Sequence, residues 1–308
     1  MDATLTPASL PQFARTRWWP WVASAPFVLW PAASMLRESL RWEVVGIMVL
    51  APFLAFYSPK TRLFFTGLLP IGLVGLLYDA MKYVKNVGLS PGRVHICDIQ
   101  RWEAALFGYT AADGARETVH AWIQRHPNVI IDVACAIPYG TYIYGIFITA
   151  IVLFAKDFLR MQRFAWTFLF LNLAGFITYH VFPAAPPWYV HAHGCVLNLA
   201  AHSEAGANLT RIDELIHFPY FHGLYGRSND VYGAVPSLHV AYPSLILLEA
   251  WGFMNKPVRV LFAGYAAAMI VGAVWLDHHW VIDVLLGLGY TGAIVALVRR
   301  LFRQPAAA

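Results

Sequence analysis

The chain has 308 residues, of which 59% are hydrophobic and 13% are charged, and its formal net charge is +5. Soluble domains average about 45–50% apolar and about 25% charged residues, so this composition excludes an ordinary soluble domain and indicates an integral membrane protein. The sequence has no basic nucleic-acid patch, glycine-rich phosphate loop or paired CxxC motif. We therefore attribute the excess of basic residues to membrane topology and expect no nucleic-acid partner.

The first 37 residues form an N-terminal segment that we predict to be interfacial or re-entrant. Their beginning lacks the basic and then apolar order of a cleavable signal, so none is predicted. Prolines disfavour an uninterrupted helical span, and three of them fall within residues 18–35, namely Pro20, Pro26 and Pro31. The remaining residues, 38–308, are predicted to form one integral membrane domain.

The apolar stretches of this domain predict an all-α fold, a polytopic bundle of about six to seven transmembrane helices. A span needs about 20 mostly apolar residues. A shorter stretch over about 40–57 carries Trp42 and Tyr57 where interfacial aromatic residues belong. The six longer stretches are 63–81, 130–154, 164–182, 238–254, 258–276 and 280–300.

The connectors between these spans differ between the two membrane faces. One face has short connectors rich in Lys and Arg, which predicts that it is cytoplasmic. The other face carries two long hydrophilic segments, about 83–128 and about 183–235. The first is rich in basic residues, which long loops tolerate and which an anionic ligand would also explain. The side of the N-terminus stays unassigned.

The two external segments are where we expect a functional site, because long loops on one face usually build a site above a rigid scaffold. The first segment has helical stretches at 98–107 and 114–125, separated by GYTAADG. The second opens with FPAAPPWY, whose prolines end the preceding helix. Its Trp188 and Tyr189 suit either an interfacial belt or the wall of a substrate site.

The stretch WLDHHWVIDVLLGLGY (275–290) starts an apolar helix with ionisable residues. Such side chains are costly in a bilayer, so they pair with one another and mark sites. His279 and Asp283 are spaced i, i+4 and share a helix face, where a carboxylate holds an imidazole in one tautomer and stabilises its cation. His278 points about 100° away and is expected to lie behind the site.

A second motif, VYGAVPSLHVAYPSL (231–245), starts a helix at about Ser237. From His239 the chain descends, turns, and returns through 258–276. Each leg covers about 24–27 Å at ~1.5 Å per residue. His239 and His279 are therefore predicted to lie at one depth on neighbouring antiparallel helices.

These residue types suit phosphoryl transfer through a nucleophilic histidine. We expect His279 to attack phosphorus with Asp283 behind it, and His239 to donate a proton to the leaving alkoxide. The helix that starts near Pro236 offers free N–H groups and a positive dipole end as a phosphate seat. Ser237 either adds a hydroxyl donor or serves only as an N-cap.

The motifs PSLH at 236–239 and HHWVID at 278–283 resemble the type 2 phosphatidic acid phosphatase superfamily, whose usual pattern is K-x6-R-P, P-S-G-H and S-R-x5-H-x3-D. Together with FPAAPPWY they look most like its inositol phosphorylceramide synthase branch. The resemblance extends from about Tyr78 to Arg300. It implies a catalytic membrane domain with a six-helix core below external loops, and the same roles for His279, Asp283 and His239.

Departures from the family pattern narrow the expected reaction. Ala273 replaces the phosphate-binding arginine of the last motif, the arginine of the first motif has no match because Trp188 follows Pro187 instead, and Leu238 replaces a glycine. These losses weaken the case for a phosphomonoesterase and suit a synthase, whose phosphate is a diester. The candidate compensating cations are Arg227 and either Lys82 or Lys85. The predicted substrate ligands are Arg227, Lys82, Ser237, His278, Trp188 and Tyr189.

The leading expectation is a membrane phosphotransferase that moves a phospho-headgroup, phosphoinositol by resemblance, from a phospholipid to a lipid alcohol such as ceramide through a phosphohistidine. The alternative within the superfamily is a lipid phosphate or polyprenyl diphosphate phosphatase with water as acceptor. From other classes, the many histidines allow a metalloenzyme or a proton-coupled transporter. Absent HxxxH clusters and absent inverted repeats argue against these, and no metal or cofactor is expected.

Overall fold

The computed structural model describes residues 12–37, 42–226 and 230–302, and almost all of the regular structure in these ranges is helical. Tyr109–Thr110 (β1) and Arg116–Glu117 (β2) pair as an antiparallel hairpin. The helices in chain order are α1 (Trp19–Met35), α2 (Trp42–Phe56), α3 (Pro59–Val84), α4 (Cys97–Phe107), α5 (Val119–Arg125), α6 (Val129–Lys156), α7 (Phe158–Val181), α8 (Pro187–His193), α9 (Gly206–Ile216), α10 (Tyr220–Tyr225), α11 (Leu238–Ala250), α12 (Lys256–Trp275) and α13 (Val281–Leu301).

Five of the described helices, α3, α6, α7, α12 and α13, are long and apolar enough to cross a membrane. Helix α11 has 13 residues and continues as a 3-10 turn over Trp251–Phe253, so the stretch predicted as 238–254 is one helical leg with a tightened end. Helix α2 contains a shorter apolar stretch, Val44–Phe56. The predicted all-α, polytopic membrane fold is confirmed.

The proline-rich stretch near the N-terminus forms one uninterrupted helix, α1. Pro20 lies in its first turn, where a missing N–H group costs nothing, whereas Pro26 and Pro31 lie inside it. The prolines therefore do not break the helix. Its interfacial or re-entrant position stays a prediction, and residues 1–11 lie outside the described ranges.

The chain forms two compact units, Met1–Ala80 with Ile148–Leu169 and Met81–Phe147 with Phe170–Ala308. In the first unit, the indole of Trp30 donates a hydrogen bond to Asp79 (2.9 Å), which gives this acid a partner within an apolar helix. The second unit contains every candidate site residue that the structure describes.

In the second unit, the first external segment differs from its prediction in one place. Helix α4 matches the stretch predicted at 98–107, but α5 begins at Val119 and not at residue 114. The preceding residues belong to β2, and Thr118 caps α5 by accepting a hydrogen bond from the N–H of Ala121. Residues 116 and 117, which the sequence predicted to be helical, therefore belong to the hairpin.

A disulfide between Cys97 and Cys195 links the two external segments across 98 residues of sequence. An isolated parallel bridge between His95 and Ala184 adds a backbone contact between the same segments, and a second bridge, Ala184 to Gly233, lies within the second segment. The external segments therefore form one cross-linked layer.

Helices α11 and α13 pack backbone against backbone at the end that carries the histidines. The N–H of Ser237 donates to the carbonyl of Asp283 (3.0 Å). A Cβ atom on Gly287 would lie 2.4 Å from the carbonyl oxygen of Ser237, so only glycine permits this approach. The close packing fixes the PSLH motif against the helix that begins after His279.

The acids inside the apolar helices are paired. Asp132 is fully buried and accepts from Arg211 (2.9 Å) and from the indole of Trp275 (2.7 Å). Glu249 pairs with Arg299 at 2.9 Å. Buried charges without partners are unfavourable. The arginine partners therefore explain how Asp132 and Glu249 are accommodated in apolar helices.

Candidate active site

Two histidines from distant parts of the sequence lie in direct contact. His239 lies in the first turn of α11, and His279 lies in the connection between α12 and α13. The Nδ1 atom of His239 is 3.0 Å from the Nε2 atom of His279. The structure thus brings together the pair that helix lengths had placed at one depth.

The hydrogen bonds around this pair define where the protons lie. The Nδ1 atom of His279 is 3.0 Å from the carbonyl of Ala234, which can only accept, so Nδ1 carries the proton. In the neutral ring, Nε2 is then an acceptor for the N–H of His239. The other nitrogen of His239 lies 3.4 Å from the hydroxyl of Tyr225. The Tyr225 hydroxyl, the His239 ring and Nε2 of His279 therefore form a chain of hydrogen bonds that ends at Nε2 of His279.

Burial keeps the ring of His279 neutral. Its side chain is 6% exposed, and this burial lowers its pKa to about 4, although the hydrogen bond to Ala234 acts in the opposite direction. A neutral imidazole with its proton on Nδ1 has an unprotonated Nε2, whose lone pair accepts the N–H of His239 in this structure. This is the form that attacks an electrophile.

Asp283 lies behind His279 in an arrangement that differs from the direct brace expected from the sequence. Its Oδ2 atom accepts the N–H of Trp280 (2.9 Å) and is 3.5 Å from Nδ1 of His279. Its Oδ1 atom is buried without a hydrogen-bond partner within the described ranges. The start of α13 occupies one carboxylate oxygen, so the proton on His279 goes to the Ala234 carbonyl with Asp283 next to it.

The backbone of His279 is held on both sides. Its N–H donates to the carbonyl of Ala273 (2.8 Å), and its carbonyl accepts from Nε2 of His120 (2.9 Å). His120, on α5, is fully buried with its ring against that of Trp280. Ala273 is also fully buried, so an arginine at this position would have to enter a packed core.

Asp277 fixes the beginning of the same connection. It adopts a left-handed conformation (φ 67°), and its carbonyl accepts from the N–H of Trp188 (2.9 Å). Its carboxylate lies 2.6 Å from Nδ1 of His191, and this hydrogen bond raises the pKa of His191. The second external segment therefore anchors the loop that presents His279.

Three tyrosines surround the ring of His239. Tyr139 stacks on it at 4.8 Å between ring centroids, and Tyr142 and Tyr225 lie at 4.8 and 6.0 Å. The hydroxyl of Tyr139 is buried and has no hydrogen-bond partner among the residues that the structure describes. These aromatic contacts restrict the rotation of His239 and leave Nδ1 facing His279.

Two other predicted site residues have structural contacts. Ser237 is fully buried, and its hydroxyl caps α11 by accepting from the N–H of Val240 (3.4 Å), as one of its two interpretations required. His278 directs Nε2 to the carbonyl of Ala205 (2.9 Å). Neither contact involves the reactive pair, and a direct role in substrate binding stays a prediction for both.

Trp188 and Tyr189 lie in the packed interior of the second unit. They are 6% and 0% exposed, so neither forms an exposed interfacial belt. The hydroxyl of Tyr189 donates to the carbonyl of Val196 and accepts from Tyr232. Leu238, which replaces the glycine of the family motif, packs against Gly175 of α7, where a Cβ atom would come within 3.0 Å.

Of the two candidate cations, Lys82 and Arg227, only Lys82 lies within the described residues. Lys82 lies in the last turn of α3, with its ammonium 5.1 Å from the ring centroid of Tyr83. Arg227 lies outside the described residues. Within the described ranges, no group of three or more His, Cys, Asp or Glu side chains is placed to hold a metal ion.

Glu103 is a site residue that the sequence did not reveal. It is fully buried on α4, and its two oxygens accept the N–H groups of Val281 (2.9 Å) and Ile282 (3.3 Å). Burial raises its pKa to about 7, against the effect of these two hydrogen bonds. An acid on an amphipathic helix normally faces water, so the sequence gave no reason to expect Glu103 to be buried at the site.

The comparisons with known proteins agree with this geometry. The chain is 34% identical over 271 residues to phosphoinositol dihydroceramide synthase of Bacteroides thetaiotaomicron, which covers 87% of this chain and 86% of that protein. It is 29% identical to the catalytic subunit of inositol phosphorylceramide synthase of Saccharomyces cerevisiae over 75% of this chain. It is 26% identical to inositol phosphorylceramide synthase of Candida albicans over 85% of this chain.

The chain spans 56% and 52% of the lengths of these two fungal proteins. No solved structure matches it. The family model described as the PAP2 superfamily matches residues 98–297, which include both histidines, Asp283 and Glu103. With most of its length and both reactive histidines inside that match, the chain belongs to the PAP2 superfamily.

Proposed function

We propose that this protein is a membrane phosphotransferase that transfers phosphoinositol from a phospholipid to ceramide or dihydroceramide. The observation that carries the proposal is the 3.0 Å contact between Nδ1 of His239 and Nε2 of His279. Nε2 of His279 is unprotonated and nucleophilic, and Nδ1 of His239 presents a proton to the same point. The names of the related synthases supply the headgroup and the acceptor.

The first half-reaction breaks the bond between phosphorus and the diacylglycerol oxygen. A phosphoryl group that enters between the rings replaces their hydrogen bond. His239 takes part in this step as the imidazolium, protonated on both nitrogens, a form that the bound phosphodiester anion stabilises. Nε2 of His279 attacks phosphorus, and the Nδ1 proton of His239 goes to the leaving alkoxide, which leaves His239 neutral. The ring of His279 then carries phosphoinositol and a positive charge, which Asp283 stabilises from 3.5 Å.

The second half-reaction transfers phosphoinositol to the lipid alcohol. His239, now neutral, removes the proton of the ceramide hydroxyl, whose oxygen attacks phosphorus and releases His279. Each proton that His239 donates is thus recovered. The first amides of α11, Leu238 and His239, have no partner among the described residues and suit the phosphate oxygens.

We also place this chemistry on the non-cytoplasmic face. The basic connectors between spans lie on the opposite face, as cytoplasmic loops do. The disulfide between Cys97 and Cys195 lies in the external segments, and disulfides persist in oxidising compartments. Labelling of a thiol introduced at Glu204, in the second external segment, by a membrane-impermeant reagent on intact cells tests this placement; protection of that thiol would contradict it.

The activity is tested with purified protein and phosphatidylinositol labelled in its headgroup, with and without ceramide. The proposal predicts a labelled ceramide product that needs ceramide and disappears in His279→Ala. Release of free inositol phosphate at the same rate without ceramide would contradict it and would favour the alternative, a phosphatase that uses water.

A further inference from the structure

The N-terminus of α13, directly after His279, is held by two carboxylates from different parts of the chain. Asp283 accepts the N–H of Trp280, and Glu103 accepts those of Val281 and Ile282. Three successive amides are thus occupied. Amides at the start of a helix normally bind water, a cap residue or an anionic ligand, so at α13 the protein itself supplies the anions.

Glu103, which binds the start of α13, lies on an external helix and not on one of the membrane-spanning helices. It lies on α4, whose first residue, Cys97, is bonded to Cys195. It lies 178 residues before Val281 in sequence. The contact therefore ties the external layer to the turn that presents His279.

The carboxylate form of Glu103 is the one that fits two N–H donors, because a glutamine offers a single oxygen and would turn its NH2 group toward the second amide. The charged form is unfavourable to bury, and the pKa of Glu103 is raised to about 7 by that burial. Since this value lies above the ordinary 4.5, the stability that Glu103 contributes is greatest below pH 4.5 and falls as the pH rises to 7.

The ionisable groups on the elements around Glu103 support the same interpretation. Asp283 faces it from α13 and raises its pKa further. The hairpin strand β2, which also packs against α4, carries Arg116 and Glu117; Arg116 donates to backbone carbonyls of α4, and Glu117 pairs with Arg125. On α4 itself, Asp98 pairs with His95. The described contacts thus give Glu103 the amides of α13 and no cation.

We propose that Glu103 is a positioning residue for phosphoryl transfer, which fixes the first turn of α13 and thereby the direction of the His279 ring. A charge held at a cost in stability indicates a functional role over a stabilising one. Misplacing a reacting group by about 1 Å lowers rates by about 100-fold. This inference rests on the proposed use of His279 as the nucleophile, and it does not depend on the identity of the acceptor.

Glu103→Gln in the full-length protein, with exposed Glu204→Gln as a matched control, tests this role. We measure consumption of phosphatidylinositol, which counts transfer and hydrolysis alike, together with thermal unfolding at pH 8 and hydrogen exchange of the peptide containing Val281 and Ile282. For Glu103→Gln we expect faster exchange, a kcat about 10- to 100-fold lower, an unchanged KM and an equal or higher unfolding temperature. Glu103→Asp, which keeps the charge on a shorter side chain, should recover part of kcat.

Wild-type kcat in Glu103→Gln, or exchange equal to that of the wild type, would overturn the positioning role. So would a parallel fall of kcat and unfolding temperature, since that pattern makes Glu103 a stabilising cap only. If the wild type consumes no phosphatidylinositol with any acceptor, the proposed function fails. The hydrogen-exchange comparison still decides whether Glu103 holds the start of α13.

Discussion

Helices α11 and α13 each start beside one of the two histidines, but their first turns are occupied differently. At α13, two carboxylates from Asp283 and Glu103 bind three amides. At α11, the Ser237 hydroxyl binds the N–H of Val240 alone. The amides at the start of α13 are already bound by carboxylates, so they cannot also bind a phosphate. We therefore assign different roles to the two helices. Helix α13 positions the nucleophile, and α11 provides its amides and His239 to the substrate.

The largest effect after loss of the nucleophile is expected at the α11 side of the pair. His239→Gln keeps a polar side chain but removes the group that donates and recovers protons, so kcat should fall by about 10²–10⁴-fold. His222→Gln, an exposed histidine on α10, is the control. Turnover of the His239 variant within a few-fold of the wild type would assign proton transfer to another group.

At the α13 side, Asp283→Asn tests whether charge or capping matters. Asparagine can still accept the N–H of Trp280, so the helix start should persist, whereas the positive charge on the ring of His279 loses its stabilisation. We expect kcat to fall about 100-fold or more with an unfolding temperature close to that of the wild type. An equal loss of stability and activity would show that Asp283 serves only as a cap.

Removal of the disulfide is expected to affect the two helix starts differently, because Glu103 of α4 accepts two N–H groups at the start of α13. Replacing Cys97 and Cys195 by serine should destabilise the protein by roughly 2–4 kcal/mol. It should also speed exchange of the amides that follow His279 more than those that follow Ser237. Equal acceleration at both helix starts would contradict the distinction between them.

Ser237→Ala should have the smallest effect. Loss of a serine N-cap costs about 1 kcal/mol of stability, and kcat should change by less than about 10-fold if the hydroxyl only caps α11. A larger fall in kcat, with stability unchanged, would instead make Ser237 a phosphate ligand. Measurement of kcat and of thermal unfolding on the same sample therefore decides whether Ser237 is an N-cap only or also a phosphate ligand.

The contact between His239 and His279 was predictable from the sequence because both sit at helix starts joined by two legs of similar length. In a membrane protein, the length of each helix determines the depth of its residues in the bilayer. Equal depth was sufficient to predict that these two histidines are neighbours. The same reasoning gave α4 but not the hairpin before α5, since two-residue strands leave no period to detect. The disulfide between Cys97 and Cys195 could not be predicted, because spacing does not show whether two loops meet.

Glu103 and His120 were not predictable in this way. Each lies on a short external helix more than 150 residues from its partner at the start of α13, and neither belongs to a motif. Their roles follow from the fold of the external layer, which sequence patterns did not fix. For Trp188 and Tyr189 the sequence left two alternatives, an interfacial belt and the wall of a substrate site; their burial excludes an exposed belt, and the substrate wall stays a prediction.

The central claim is that His279 forms a covalent bond to phosphorus, and trapping that intermediate tests it most directly. Purified protein is incubated with phosphatidylinositol in the absence of ceramide, quenched in alkali, digested and analysed by mass spectrometry. If His279 is the nucleophile, a phosphoinositol adduct forms on its Nε2 atom and disappears when ceramide is added. An adduct on a different residue, or an active wild-type enzyme that never carries one, would exclude His279 as the nucleophile.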